Sequence, residues 1–371
     1  MTSRFLAAAC HVSPILFSAQ KTTEKCIQFI NRAAKNSANL VVFPESYIPA
    51  FPIWSSILAP TQNHGFFEMM AKESIVIDGE EINAIRDTAR KNKVMVSLGI
   101  SEKLRGRHGT LFNSNVIIGE EGEVLVHHRK LAPTWFEKLT WAPGDGHGLK
   151  VAELGLSRSG KRDVARIGAL ICGENTNPLA RYSLMAQGEQ VHISTWPAAW
   201  PSVVSKLETG LEKGNAGGVK VEMRINYDNV AANRTRAAAH CFEGKCFGIL
   251  CAGYLDSANI KIISDMTDEQ TYVSRVLNAA PRAATMFLDP TGAALPGYVI
   301  DPVSGEKNDK EFLQTEEDIL YAKLDFERCI EGKQYHDVVG GYQRFDVFDL
   351  KVDRTRRNPA IFVDEKEMTE C

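Results

Sequence analysis

Three ionisable side chains stand where short runs of buried character end. Arg166 to Ile171 reads as a buried strand that delivers Cys172, followed by Gly173 and a polar turn. Asn177-Pro178 then starts a helix, with Asn177 as N-cap and Pro178 at the first helical position. A strand-to-helix turn of this kind exposes a side chain and aims backbone N–H groups at a developing anion. Asn39 to Phe43 is a second buried strand, ended by Pro44, with Glu45 directly after it. Burial there would raise a carboxyl pKa toward the range of a general base. A third strand, Val124 to His128, hands the chain to Arg129 and Lys130. A thiol, a carboxylate and an amine at strand ends is the placement that open α/β sheets use for active sites. Each also has a plainer reading: a buried small cysteine, a surface carboxylate capping a turn, an ordinary solvated cation.

Composition sets the frame for these groups. The chain has 371 residues, 44% hydrophobic and 24% charged, which describes a globular protein with length for a sizeable core. Net charge is −3 without a basic block, so neither nucleic acid nor an anionic membrane is indicated as a partner. No segment approaches the apolar length of a membrane span, and the start, Met1 to Cys10, reads as a first core strand. The eight cysteines form no C-x-x-C pair, which points to reduced thiols in a cytosolic protein rather than zinc. His127 and His128 would point to opposite faces of their strand and share no ion.

The remaining elements follow from periodicity. Helices are expected over Lys21–Ala38, over Asp78–Asn92 with Asp78 and Glu81 as a capping box, and over Asp228–Glu243 with Gly244 as its stop. Strands are expected at Phe5–Val12, Val94–Ile100, Asn113–Ile118, Val191–Thr195, Phe247–Ala252, Leu295–Ile300 and Ile319–Leu324. Residues 47–75 read as a long aromatic-rich connection, a lid or a pocket wall. The Gly210–Gly218 stretch reads as a loop. Residues 1–345 are expected to form a single domain, and 346–371 a charged tail outside the core.

Taken together, Phe43-Pro-Glu45, His128-Arg-Lys130-Leu and Cys172-Gly-Glu-Asn, in that order, resemble the nitrilase superfamily of carbon–nitrogen hydrolases. The resemblance runs over roughly residues 4 to 345. A fourth motif, Glu137-Lys-Leu-Thr-Trp-Ala-Pro-Gly-Asp-Gly146, is similar to the nitrilase branch rather than to its amidase relatives. The resemblance implies an α/β fold, a four-layer α-β-β-α sandwich. It implies catalytic roles for Glu45, Lys130, Cys172 and Glu137, no metal and no cofactor. It implies a small-molecule nitrile as substrate, and a homodimer or larger assembly, spirals included, with the Leu179–Gln187 helix near the interface.

The implied chemistry matches the residue types. A thiol of pKa about 8.5 is mostly protonated at neutral pH and needs a base and a cation beside it. Glu45 would take that proton, and Lys130 with the Gly173 N–H would stabilise charge on the substrate. Attack on a nitrile gives a thioimidate, then a thioester, then an acid and ammonia. An amidase, an amide-forming hydratase and a non-enzymatic assembly protein are the competing readings.

Two residues depart from the family pattern. Many nitrilases carry Trp after the catalytic cysteine, where this chain has Gly173; Gly-Glu-Asn in place of Trp-Glu-His argues against cyanide as substrate. Gly341 stands where a histidine is found in a Gly-His-Tyr-Ser-Arg segment. Gly173 is expected to leave room, walled by Trp54, Trp135, Trp196 and Trp200, that favours aryl or arylalkyl nitriles.

Overall fold

In the computed structural model, which describes residues 5–158, 161–201, 228–357 and 360, the first strand shows how the layers arise. Along β1 (Phe5–His11), Phe5, Ala7 and Ala9 enter one apolar cluster, while Leu6, Ala8 and Cys10 enter another. A strand buried on both faces lies between two layers. The chain continues through α1 (Ala19–Lys35), β2 (Leu40–Val42), α2 (His64–Glu73), α3 (Glu80–Asn92), β3 (Met95–Lys103), β4 (Leu111–Ile118) and β5 (Val124–Arg129). The middle third holds β6 (Ala152–Arg158), β7 (Lys161–Ile171), α4 (Pro178–Met185), β8 (Val191–Trp196), α5 (Asn229–Gly244) and β9 (Phe247–Ala252). After these come α6 (Ser257–Asp265), α7 (Gln270–Ala279), β10 (Thr285–Leu288), β11 (Ala294–Leu295) and β12 (Gly297–Ile300). The last elements are β13 (Lys307–Lys310), β14 (Phe312–Leu313), β15 (Asp318–Leu324) and α8 (Arg328–Glu331).

Two sheets result. One runs β13-β12-β15-β1-β2-β3-β4-β5, the other β11-β10-β9-β8-β7-β6, with β14 paired to β10. Their inner faces meet through Ala7, Val42, Met95 and Ile117 on one side and Ala169, Ile193, Ile249 and Phe287 on the other. Outside the first sheet, α1 lays down Cys26, Ile30 and Ala33, one face at helical spacing, beside Ile82, Ile85 and Ala89 of α3. Each large aliphatic side chain so buried stabilises the fold by about 1.5–3 kcal/mol. Outside the second sheet, Ala180 and Leu184 of α4 cover Leu170, and Ala237 and Cys241 of α5 cover Leu250. This is the four-layer α-β-β-α sandwich.

Several elements differ from their expected form. The connection over 47–75 contains α2, whose Phe66, Met70 and Ala71 pack inward; its flanking aromatics disguised a helix as a loop. Asp78 does not cap α3: Gly79 is its N-cap, and Asp78 pairs with Arg105 instead. The left-handed residue ending α5 is Lys245, not Gly244. The 210–218 stretch lies outside the described residues. Part of the charged C-terminal segment does pack: Val352 lies against the Leu149, Leu170 and Leu184 cluster, and Arg356 bonds Asp145 at 3.1 Å and the His127 carbonyl at 2.8 Å. Among the described residues no helix is long and apolar enough to cross a membrane.

Candidate active site

Glu45 owes its place to a break in strand pairing. Phe43 N–H bonds the Ser97 carbonyl at 2.8 Å, and pairing along β3 resumes where Ser101 N–H bonds the Ile48 carbonyl at 2.7 Å. Between these bonds the chain bulges over Gly99. A Cβ at Gly99 would stand 2.6 Å from Ser46 N and 2.9 Å from Glu45 Cα, so only glycine lets the bulge lie this close. Ser46 adopts a left-handed φ of 45°, and its hydroxyl donates to the Ala50 carbonyl at 2.8 Å.

Lys130 is set by the β4–β5 hairpin. Its N–H bonds the Asn113 carbonyl at 2.8 Å, and the Asn113 side-chain amide donates to Glu45 Oε1 at 2.7 Å. Lys130 Nζ then reaches Glu45 Oε1 at 2.9 Å and Glu137 Oε2 at 2.7 Å. Glu137 sits on a short 3-10 turn, Trp135–Leu139, and also accepts from the Thr134 N–H at 2.8 Å.

Cys172 directly follows β7 with φ 49°, a left-handed conformation that costs a non-glycine residue about 1–3 kcal/mol. Glu174 braces that turn. Its carboxylate accepts from Ile171 N–H at 2.8 Å, Leu131 N–H at 2.6 Å and His128 Nε2 at 2.9 Å, tying the Cys172 turn to the end of β5. Ser46, Trp135 and Cys172 are three of the seven non-glycine residues with positive φ among those described. Three left-handed residues thus flank this site.

The four side chains converge. Cys172 Sγ, a Glu45 oxygen and a Glu137 oxygen lie within 4.8 Å of one another, and Lys130 bridges the two carboxylates. Burial pushes the Glu45 carboxyl up to about 7; Lys130 pulls against this and the Glu137 charge adds to it. Burial likewise raises the Cys172 thiol, reinforced by Glu45, so the resting group is a thiol. Burial alone would lower Lys130, but Cys172, Glu45 and Glu137 outweigh it and hold the amine as ammonium. Protonated thiol, poised carboxyl and fixed cation are what a base-assisted sulfur nucleophile requires.

The same donors could be asked to hold a metal. Between Glu45 and Glu137 the cation position is filled by the Lys130 ammonium. A second group, Glu189, His192 and His240, also has ligand atoms within 4.8 Å of one another. Its two imidazoles are stacked at 3.5 Å and 15°, however, which aims their in-plane lone pairs alongside each other rather than at one point.

A cavity beside Cys172 is lined by Thr134, Gly173, Trp196, Trp200, Asn229 and Asn233, among others. Trp200 packs on Phe136 at 4.6 Å and near Phe51 at 6.4 Å, building an aromatic wall. Trp54 does not reach this cavity: it is buried against Phe66, ring centroids 5.0 Å apart. Trp135 turns away, 64% exposed. Gly173 lines this cavity, but a Cβ there would stand 2.7 Å from Thr134 Oγ1. Of the four tryptophans expected around the nucleophile, Trp196 and Trp200 line this cavity. Gly341 is exposed.

Sequence reasoning passed over Gly99, Asn113, Thr134 and the bracing role of Glu174. Asn113 carried a signal, as a polar residue in a strand otherwise fit for burial. Glu174 carried one too, as a carboxylate inside the cysteine motif.

Comparison with known proteins bears on the same residues. A model of the family described as carbon–nitrogen hydrolase matches residues 6–243. The chain is similar to a nitrilase of Penicillium rubens, 29% identical over 365 residues that cover 98% of each chain. It is also similar to a cyanide hydratase of Gibberella baccata, 30% identical across 97% of this chain and 89% of that one. In backbone it resembles a carbon–nitrogen hydrolase from Helicobacter pylori G27, with a TM-score of 0.60 at 17% identity over 90% of this chain and 93% of that one.

Proposed function

This chain belongs to the carbon–nitrogen hydrolase family, and from that premise we propose that it is a nitrilase, converting an organic nitrile and two waters to a carboxylic acid and ammonia. The observation that carries the reading is the buried contact set of Glu45, Lys130, Glu137 and Cys172, in a chain similar to a nitrilase over nearly its whole length. Glu45 accepts the thiol proton as Cys172 Sγ bonds to the nitrile carbon, and that proton passes to the nitrogen to give a thioimidate. Water adds at the same carbon, ammonia leaves, and a thioester remains. A second water, deprotonated by Glu45, releases the acid and returns the proton to sulfur. Lys130 and the Gly173 N–H stabilise negative charge as it forms on nitrogen and then on oxygen. Glu137 holds the Lys130 ammonium in place.

The aromatic wall of Phe136, Trp196 and Trp200 supports an aryl or arylalkyl nitrile as the substrate class. A second reading, hydration to the amide, has support from the similarity to a cyanide hydratase. It differs at one step: the tetrahedral adduct expels the thiol rather than ammonia. Ammonia and amide measured on one arylacetonitrile separate the two. With substrate present, mass spectrometry should find the adduct on Cys172, and Cys172→Ala should be folded and inactive; an adduct on another cysteine overturns the assignment.

A cytosolic homo-oligomer, at least a dimer, completes the proposal. Leu179, 61% exposed on α4, is the expected interface residue. Light scattering at micromolar concentration that showed only monomer would count against it.

A further inference from the structure

Behind the nucleophile turn runs a chain of buried polar groups that the reaction above does not use. The Asn175 side-chain amide donates to the Cys172 carbonyl at 2.9 Å and to the Leu170 carbonyl at 3.3 Å. Those two bonds fix which way the amide faces, so Asn175 Oδ1 is the acceptor toward His192 Nε2, 2.8 Å away. The other ring nitrogen, His192 Nδ1, meets Glu189 Oε1 at 2.9 Å, and Glu189 Oε2 meets His240 Nε2 at 2.6 Å. All four residues are buried.

Donor counting settles the protons. His192 must donate from Nε2 to Asn175, and a hydrogen must also lie between Nδ1 and the Glu189 carboxylate. His240 lies stacked on His192 and gives Glu189 its second donor. Glu189 precedes β8, His192 lies on β8, His240 on α5, and Asn175 in the turn after β7. Three elements are therefore locked to the backbone on either side of the residue at φ 49°.

We propose that Asn175, His192 and Glu189 form a positioning relay that holds Cys172 in its left-handed conformation with Sγ aimed at Glu45. Asn175 clamps the carbonyls of residues 170 and 172. His192 fixes the Asn175 amide by donating to its oxygen, and Glu189 fixes the His192 ring. None of the three touches the cavity lined by Cys172, so each acts through the turn. What the relay needs from His192 is the Nε2 donor toward Asn175. Glu189→Gln can donate to Nδ1 of a neutral His192 while accepting from His240, and so preserves the relay.

The inference rests on Cys172 as the nucleophile; activity surviving in Cys172→Ala overturns that reading, whereas the comparison below overturns the relay alone. The readouts are kcat, KM, and the rate of Cys172 alkylation by iodoacetamide, which a role in overall stability alone leaves unchanged in folded protein. His192→Leu and Asn175→Ala should lower kcat and slow alkylation by about 10²-fold with little change in KM, the scale of a misplaced nucleophile. His192→Gln, whose amide nitrogen can take the Nε2 position, should recover most of both, as should Glu189→Gln. Should His192→Leu fail to fold, the isosteric Asn175→Asp sets an oxygen against the Cys172 carbonyl and should show the same loss. Wild-type kcat and alkylation in folded His192→Leu or Asn175→Asp overturn the relay, even where the melting temperature has fallen.

Discussion

Lys130 Nζ lies 2.9 Å from Glu45 Oε1, and neither side chain reaches solvent. The pair is asymmetric: the ammonium is held firmly, while burial leaves the carboxyl at about 7. A general base works as carboxylate, so kcat/KM should rise as pH climbs through about 7 and fall below it. Glu45→Gln should lose about 10²–10⁴-fold in rate. A pH–rate profile flat from 5 to 8 would remove Glu45 from the role of base.

Gly99 tests how that carboxyl is placed. Gly99→Ala drives a Cβ against Ser46 N and Glu45 Cα, so the bulge must move. The expected cost is about 1–3 kcal/mol of stability from overpacking, with a kcat loss on the order of 10²-fold from displacing the base. Gly155→Ala is the control, since nothing lies within 4 Å of a Cβ there, and should stay within about 0.5 kcal/mol. Urea unfolding and kcat on both variants decide the matter. Equal behaviour of the two would refute the close-approach argument.

Thr134 and Gly173 form a coupled pair. Gly173→Ala alone should reduce kcat/KM, because its Cβ meets Thr134 Oγ1 at 2.7 Å, while the Thr134 Cβ stays at an ordinary 3.8 Å. Thr134→Ala in the same chain removes the clash. The double variant should then match Thr134→Ala alone, a coupling of about 0.5–3 kcal/mol in a double-mutant cycle. Additive losses would mean that the hydroxyl does not limit the side chain at residue 173.

His240 makes stability depend on pH. Burial lowers it from 6.5 to about 4, so the native state refuses a proton that the unfolded chain takes up below pH 6.5. Its contribution is present above pH 6.5 and is lost as pH falls toward about 4, at up to about 1.4 kcal/mol per pH unit. His240→Gln keeps a donor for Glu189 and removes the titration. Denaturant unfolding at several pH values between 7 and 4 should show a shallower slope in the variant; an unchanged slope would place the pH dependence elsewhere.

What could be read from the chain alone follows the range of the interactions. The strand ends and the residues just after them are local events, marked by Pro44, by the hairpin before Lys130 and by Asn177-Pro178, and these were legible. Helical spacing in α1 likewise announced one-sided packing, whereas the two-sided burial of β1 emerged only in the fold. Asn113 meets Glu45, and His128 meets Glu174, only because sheets bring distant segments together, and no spacing encodes that. The tryptophans show the limit from the other side: ring type says that Trp54 will be covered, not that Phe17 and Phe66 will cover it. Thr134 was invisible for the same reason, since nothing near it in the chain names Gly173 as its neighbour.

The pairing of β1 with β15 carries a consequence for how the molecule is made. Phe5 lies opposite Leu324 and His11 opposite Asp318, so one edge of β1 finds its partner only once β15 has been made. Through translation β1 has β2 on one side and an open row of amides and carbonyls on the other, a template for pairing with another nascent chain. The sheet that presents Glu45 and Lys130 can therefore close only after β15 has emerged from the ribosome, and a contact of such long range makes that closing step slow. Expression yield in a heterologous host should depend on chaperones that shield this edge more than on the stability of the finished fold.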